Sequence, residues 1–353
     1  MDQSGVAIDE MVDGAGGVRP HWRRLLGVLS SLGAAELRAR ATALDAAFEE
    51  EGIGALVPSA HQGGWHCDPL PLPLPASEFA VLEAGLAQRA ALLDAVLADL
   101  YGRQRLLAEG HLPGALVWPN PAYLRPCATL PQGPRLHLYA ADLVRGPTGA
   151  WHVVADRTAE ASGIAYVTEN RRMLSRMLPE IYQPHAVMPL RPFLDGWQDQ
   201  LRALLPPGAE GAGIGLLTPG PASPHWPEHV VLARELSCTL VEAGDLTVRQ
   251  GAAFLKTLRG LRPIGLLLRR EEGAAIDPLE LAPGSAHGVA GLLDAIRSTT
   301  RAARSPKARR SPPSSPISRR CCSGRGCCCR KCRVCGSGIP SRWPACCAPP
   351  IAG

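Results

Sequence analysis

An abrupt change of composition at residue 298 limits the part of this chain that can build a folded core. Residues 298–353 contain no Asp, Glu, Leu or Phe, but they hold nine of the chain's twelve cysteines. They also hold 12 of the 37 Lys and Arg residues, which leaves 25 basic against 32 acidic residues in residues 1–297, a net charge of about −7. The body is therefore mildly acidic, and nucleic acid is not an expected partner for it.

The length and cysteine usage of the body narrow its class further. Nearly 300 residues suffice for two compact domains, each with its own core. The body has three widely separated cysteines, Cys67, Cys127 and Cys238, which is typical of a reducing compartment and predicts no disulfide framework. We expect no signal peptide, because the first residues are acidic, and no membrane span, because no run of about 18 apolar residues occurs. These features predict a cytoplasmic protein.

Hydrophobic periodicity predicts helices first and a mixed sheet later. Leu and Ala at helical spacing favour a helix over 20–50 and another, capped by Ser77, that runs to about residue 100. Between 213 and 270 the chain alternates apolar strands with one helix, and Gln250-Gly251 marks a hairpin turn. This order is typical of an α/β (α+β mixed) fold with an at least partly parallel sheet.

A predicted β-hairpin carries the first candidate site. Its strands are residues 135–144 and 151–156, and they include Asp142 and Asp156. Mg²⁺ prefers oxygen ligands, and two carboxylates on neighbouring strands can share one ion. If Arg145 pairs with Trp151, Asp156 lies opposite Ala140 and the two aspartates share a face. If the register is shifted by one residue, they point to opposite faces, and the sequence does not choose between the two.

Almost the whole body resembles the circularly permuted ATP-grasp proteins of type 2. The order and extent of the similar stretches carry this resemblance, since no single short motif does. These stretches are DEMVDGAGGVRPHW (9–22), DPLPLPLPASEFAVLEAGLAQRAALLDAVLADLYG (68–102), LYAADLVRGPTGAWHVVADRT (138–158), SGIAYVTENRRMLSRMLPE (162–180), LLTPGP (216–221), EHVVLARELSCTLVEAGDLTVRQG (228–251) and IDPLELAPGSAHGVAGLLDAIR (276–297).

The resemblance implies an ATP- and Mg²⁺-dependent ligase that joins a carboxylate to an amine or another nucleophile. Its substrates would be small molecules or peptides, and proteins encoded nearby are further possible partners. The implied site residues fall into three groups, namely metal ligands Asp142 and Asp156, catalytic contacts Arg157 and Arg171, and cofactor contacts Ser162, Gly163 and Asn170.

One departure from the family pattern puts the activity in question. A common form of the second metal motif reads Glu-Asp-Asn, whereas this chain has Ala155-Asp156-Arg157. One metal ligand is then missing or supplied from elsewhere, and Arg157 would contact a phosphate or a substrate carboxylate. A noncatalytic binding or scaffold protein of the same fold is the alternative. Farther along, the loop Thr218-Pro219-Gly220 follows a strand and precedes a helix, a common position for ligands.

The resemblance also implies a division of the chain into four regions. We expect a helical N-terminal region (1–110), a partial ATP-grasp-like core with the metal-carboxylate hairpin (111–205), an α/β domain like that preceding the ATP-grasp core (206–297), and a disordered tail (298–353).

Three interpretations of the tail remain open. Cys329, Cys332 and Cys335 form C-x₂-C-x₂-C, the spacing of an iron–sulfur or zinc site, although Ile339-Pro340 stand where the iron–sulfur motif has its fourth Cys and Pro. The Arg-rich stretch 301–320 could be a disordered arm that binds RNA. The third interpretation is a shifted reading frame near residues 297–304, since the displaced frame can encode ordinary Leu-rich sequence. It predicts a chain that is truncated, lacks the nucleotide-gripping lysine and is inactive as written.

Overall fold

The computed structural model describes residues 9–51, 67–129, 133–159, 161–182, 187–206, 208–209, 211–270 and 273–303. The interpretations of the tail concern residues 304–353 almost entirely and lie outside the described part. The described chain forms two compact units. The first is built from residues 1–17 and 74–161 as far as they are described, and the second from residues 18–73 and 162–305 on the same terms.

Nine α-helices, seven strands and three short 3₁₀ helices make up the secondary structure of the described residues. The helices are α1 (Pro20–Glu50), α2 (Ala76–Leu100), α3 (Arg105–Ala108), α4 (Gly114–Val117), α5 (Ile164–Met177), α6 (Pro179–Tyr182), α7 (Arg191–Ala203), α8 (Trp226–Glu235) and α9 (Leu292–Ala303). The strands are β1 (Ala140–Arg145), β2 (Trp151–Arg157), β3 (Gly213–Leu217), β4 (Thr239–Val241), β5 (Leu246–Arg249), β6 (Ala252–Thr257) and β7 (Gly260–Arg269).

In the first unit, α2 and the β1–β2 hairpin are the main elements. The helix begins directly after Pro75, whose carbonyl accepts the N–H of Phe79 at 2.9 Å. Ser77 therefore lies inside the first turn, and its prediction as the N-cap was wrong. Pro75 has an extended backbone and directly precedes the first helical residue, and no side-chain hydrogen bond caps the helix.

The first strand of the hairpin is shorter than the apolar pattern predicts. It begins at Ala140, whereas residues 135 and 136 lie outside any strand. The Asp94 carboxylate of α2 accepts the backbone N–H groups of Arg135 and Leu136 at 2.6 and 2.8 Å. A side chain thus satisfies backbone donors that a strand partner would otherwise take, which explains the late start of β1.

The second unit contains a five-stranded mixed sheet in the order β4-β3-β7-β6-β5. Strand β3 is parallel to both β4 and β7, and β5, β6 and β7 are joined as antiparallel hairpins. The turn at Gln250-Gly251 has positive φ angles of 52° and 72°. The predicted hairpin and the partly parallel α/β sheet are confirmed.

One face of this sheet forms a hydrophobic core with the segment that leads into α9. The buried members of this core are Leu217, Val241, Leu246, Ile276, Val289, Leu292 and Leu293. The preceding loop is fixed by a backbone hydrogen bond of 2.8 Å from Val289 to Ile276. This packing holds the ends of β3, β4 and β7 in place. Among the described helices, none combines the length and apolar character that crossing a membrane requires.

Candidate functional sites in the two units

The carboxyl ends of the parallel strands meet at one edge of the five-stranded sheet. The N–H of Thr218, just after β3, donates to Val241 of β4 at 3.0 Å. The N–H of Arg270, just after β7, donates to Leu217 of β3 at 2.9 Å. The loops that leave these strands are thereby gathered at the edge where α/β proteins commonly hold ligands.

Four polar side chains, which we call the edge cluster, are buried at this edge: Thr218, Glu228, His229 and Arg270. Glu228 and His229 lie in the first turn of α8. The Thr218 hydroxyl is 2.8 Å from His229 Nδ1, and it accepts the Gly220 N–H at 3.2 Å. Since the hydroxyl oxygen is an acceptor for Gly220, its proton is available for Nδ1 of a neutral imidazole.

The Glu228 carboxylate joins three elements of the second unit. Its Oε1 accepts the backbone N–H of Gly163, directly before α5, at 2.6 Å. Its Oε2 lies 3.4 Å from Arg270 Nη2, in an ion pair whose side chains are 0% and 8% exposed. A carboxylate buried this deeply must be paired to avoid a large desolvation cost. Glu228 therefore ties the starts of α5 and α8 to the end of β7.

The environment of His229 keeps its imidazole neutral. Burial, together with the electrostatic effects of Arg270 and His225, lowers the pKa of His229 to about 4. A protonated imidazole would lie next to a buried guanidinium with little water to screen the two charges. At neutral pH His229 thus serves as a hydrogen-bond partner for Thr218.

This shift predicts that acid destabilises the second unit through His229. The unfolded residue takes up a proton near pH 6.5, but the folded one only near pH 4, so stability falls as the pH drops between these values. The expected loss from this residue is about 2 kcal/mol at pH 5 relative to pH 8. His229→Asn has an Oδ1 that can still accept from Thr218. In urea unfolding at pH 5 and pH 8, this variant should lack that part of the pH dependence of the free energy of unfolding. An unchanged slope would contradict the assignment.

In the first unit, the hairpin register places Asp142 and Asp156 on opposite faces. Arg145 does pair with Trp151, but the register shifts between Asp142 and Leu143. Asp142 consequently lies opposite Ala155, and Asp156 lies opposite Ala141 rather than Ala140. The pairing of Arg145 with Trp151 would place both aspartates on one face of a regular hairpin, but a β-bulge adds one residue to β2 and reverses the direction of the side chains beyond it.

Asp156 lies on the face of the hairpin that is bonded to α2, which we call the inner face. Two side chains donate hydrogen bonds to it. Arg89 of α2 donates from Nε to Oδ1 at 2.6 Å and from Nη2 to Oδ2 at 2.7 Å. The Tyr139 hydroxyl donates to Oδ1 at 2.7 Å. The hydrogen bonds of Arg89 lower the pKa of Asp156, against the opposing effect of burial. Burial and the hydrogen bond to this carboxylate raise the pKa of Tyr139 to about 12.

Asp142 lies on the outer face and pairs with Arg157. Both Nε and Nη2 of Arg157 donate to Asp142 Oδ2, at 3.1 and 2.6 Å. The side chains of Arg157 and Asp142 are 59% and 49% exposed. Such an exposed ion pair contributes little to stability and opens readily.

These positions do not fit a magnesium ion shared by the two aspartates. Their carboxylates face away from each other across the hairpin, and a guanidinium already neutralises each one. Within the part of the chain that the structure describes, no group of three or more His, Cys, Asp or Glu side chains could hold a metal ion. The individual roles of Asp142 and Asp156 as metal ligands remain predictions.

The other predicted contacts lie in the second unit, at and within α5. Ser162 is exposed, and Gly163 takes a left-handed conformation with φ 102° as it donates to Glu228. Asn170 is half-buried within the helix. Arg171 donates to the Met188 carbonyl at 2.9 Å, and its guanidinium lies 5.6 Å from the centre of the Tyr182 ring. The structure therefore brings Gly163 to the edge cluster, while Ser162 is its exposed neighbour and Arg171 makes local contacts.

A comparison with family models decides the kinship of the chain. The model for circularly permuted ATP-grasp type 2 matches residues 71–303. The chain belongs to this family. The matched part includes the whole hairpin, the edge cluster and the five-stranded sheet of this ATP-grasp protein.

Curated relatives of this ATP-grasp protein occur in mycobacteria and cyanobacteria. Two uncharacterized proteins of Mycobacterium tuberculosis are 36% and 34% identical to it, over 83% and 84% of this chain but only 35% and 54% of their own lengths. An uncharacterized protein of Synechocystis is 31% identical over 82% of this chain and 61% of its own length. The chain thus spans between about a third and about three fifths of these relatives, so the activity of a whole protein is a matter for proposal.

Sequence reasoning missed three residues that the fold brings to these sites. Arg89 and Tyr139 bind Asp156, and Arg270 pairs with Glu228. Arg89 and Asp156 are 67 residues apart in the chain, and no local pattern connects them. The one available signal was the position of Arg270 at the carboxyl end of a predicted buried strand, where side chains of neighbouring parallel strands converge.

Proposed function

We propose that this chain is part of an ATP-dependent ligase that joins a carboxylate to an amine, with small molecules or peptides as substrates and the cytoplasm as its compartment. The observation that carries the proposal is the family match over residues 71–303. ATP-grasp proteins as a class generally use ATP and Mg²⁺, and ligation is their common chemistry. The proposal extends that class chemistry to this chain.

The proposed reaction has two balanced steps. A carboxylate oxygen of one substrate attacks the γ-phosphorus of ATP, ADP leaves, and an acyl phosphate forms. The amine of the second substrate then attacks the acyl carbon, phosphate leaves, and the nitrogen loses a proton. Catalysis of the first step consists mainly of positioning and of neutralising the charge on the transferred phosphoryl group.

The charged groups of the hairpin suited to contact a ligand are those on its outer face. Arg157 and Asp142 form an exposed ion pair that can open at little cost. We propose that Arg157 then contacts a phosphate or a substrate carboxylate, because a guanidinium donates two parallel hydrogen bonds to either group. Ser162, Gly163, Asn170 and Arg171 are proposed as further contacts at α5, and their roles depend on the same nucleotide binding.

Nucleotide binding is the first test of this proposal. ATP with Mg²⁺ should raise the melting temperature of the chain, by about 2 °C or more at saturation. Arg157→Ala should abolish the shift because it removes the proposed phosphate contact, and Asp142→Ala should abolish it because Asp142 is the proposed Mg²⁺ ligand of the bound nucleotide. Glu109→Ala, which breaks the exposed Arg105–Glu109 pair of the same unit, should retain it. The absence of any shift in the unsubstituted chain would contradict the proposal.

A noncatalytic ATP-grasp-like binding protein is the second candidate. The observation that favours it is the presence of Ala155 and Arg157 where the common motif carries Glu and Asn, together with the arginine partner of each hairpin aspartate. Release of ADP separates the two candidates. A ligase releases ADP in proportion to added carboxylate and amine substrates, whereas a binding protein shows the thermal shift without that release.

A further inference from the structure

Asp156, on the inner face of the hairpin, accepts hydrogen bonds from Arg89 and Tyr139, and these bonds compete with its predicted role as a metal ligand. Both oxygens of Asp156 accept hydrogen bonds from Arg89, in the parallel two-bond arrangement of a guanidinium on a carboxylate. Tyr139 adds a third hydrogen bond to Oδ1. The side chains of Arg89 and Asp156 are 23% and 25% exposed, about half the exposure of the Arg157–Asp142 pair.

A divalent cation at Asp156 would meet the Arg89 guanidinium at the same oxygens. Mg²⁺ requires near-octahedral coordination by oxygen atoms at about 2.1 Å, and a positive charge already bound to the carboxylate repels it. Asp142 cannot complete such a site, since the bulge turns it to the other face. Asp156 is thus committed to contacts within the protein.

These contacts stabilise the hairpin by attaching it to α2. An isolated two-stranded hairpin is marginally stable in water and requires another element to pack against. The inner face is attached to α2 by Asp156 with Arg89 near one end and by Arg145 with Glu78, at 2.6 Å, near the turn. Trp151 adds a hydrogen bond to the same Glu78, and Arg145 lies 4.2 Å from the centre of the Trp151 ring.

We propose that Asp156 is a positioning residue that locks the hairpin onto α2 through Arg89 and Tyr139, and that the hairpin holds no divalent cation between Asp156 and Asp142. The lock fixes the direction in which the outer face presents Asp142 and Arg157. That last consequence rests on the proposed function, whereas the lock itself does not.

Four single variants of the full chain test the lock without any nucleotide. Asp156→Asn and Arg89→Lys should each lower the melting temperature by about 5 °C, because neither preserves two charged hydrogen bonds in parallel. The double variant should be about as stable as the less stable of the two single variants, since both changes break the same interaction. Tyr139→Phe should have a smaller effect and serves if the others fail to fold. Asp142→Asn, the matched aspartate of the outer face, should shift the melting temperature by less than about 1 °C.

Two spectroscopic measurements separate this lock from a general structural role. In ¹⁵N NMR, the Nε–H of Arg89 should exchange slowly with water, lose that protection in Asp156→Asn and keep it in Asp142→Asn. Mn²⁺ alone, followed by electron paramagnetic resonance, should show no binding that both Asp142→Asn and Asp156→Asn abolish.

The opposite results would overturn the inference. Mn²⁺ binding that disappears in both aspartate variants would establish a shared metal site, and an Asp156→Asn variant as stable as Asp142→Asn would remove the lock. Neither measurement involves ATP, so the failure of the lock and the failure of the proposed ligase activity are distinguishable.

Discussion

Glu228→Ala is expected to lower the free energy of unfolding of the second unit by about 3–5 kcal/mol. The substitution removes the carboxylate that is 3.4 Å from Arg270, a guanidinium only 8% exposed. It also removes the acceptor of the Gly163 N–H at the start of α5. Removing the carboxylate from a buried ion pair costs far more than the pair contributes, because water cannot replace the lost charge. Urea unfolding followed by circular dichroism measures the change.

Two comparisons make this prediction specific to the buried charge. Glu228→Gln keeps an oxygen for Gly163 but loses the charge, so its effect should be intermediate. Asp195→Ala breaks the Arg191–Asp195 pair, whose side chains are 59% and 51% exposed, and should cost less than about 1 kcal/mol. If Glu228→Ala were as mild as Asp195→Ala, the ion pair would have no stabilising role at the edge of the sheet.

The order of the elements in the second unit could be predicted because each element has a local sequence pattern. The apolar strand at 213–217, the helix and the turn at Gln250-Gly251 each leave a signal within a few residues. Such signals depend on side-chain periodicity and on the conformations that glycine permits. The pairing of Glu228 with Arg270 leaves no such signal, since it depends on how β7 and α8 meet in space.

The hairpin shows where sequence reasoning stops even when the register is assumed correctly. The pairing of Arg145 with Trp151 was one of two alternatives, and the structure has it. A bulge a few residues farther along nevertheless changes which face Asp156 occupies. A bulge inserts a single residue without a distinctive composition, so the alternation of side chains along β2 does not reveal it.

The candidate site was likewise predictable only in part. The residue types were identified from the sequence and its family resemblance, including Asp142, Asp156 and Arg157. Their partners were not, because Arg89 and Tyr139 reach Asp156 only after α2 and the hairpin have packed together. Electrostatic roles depend on those partners, so the division of labour between the two aspartates required the fold.

Asp277→Ala is expected to destabilise the second unit by about 3 kcal/mol. The Asp277 side chain is fully buried, and its Oδ2 accepts the N–H of Leu293 in the first turn of α9 at 3.0 Å. Its Oδ1 accepts the N–H of Leu279 at 2.9 Å and lies 3.4 Å from the N–H of Gly291. Alanine would leave the buried N–H of Leu293 without this acceptor and loosen the start of a helix whose Leu292 and Leu293 complete the core.

Hydrogen exchange gives the sharpest measurement of this effect. The Asp277→Ala variant should lose protection first at Leu293 and the following amides of α9, while the β1–β2 hairpin of the first unit stays protected. Asp277→Asn is the matched control, since its remaining carbonyl oxygen can accept one set of hydrogen bonds and should recover roughly half of the lost stability. Equal protection of α9 in the alanine variant and the unsubstituted chain would show that the core packing of Leu292 and Leu293, rather than the buried carboxylate, holds the helix in place.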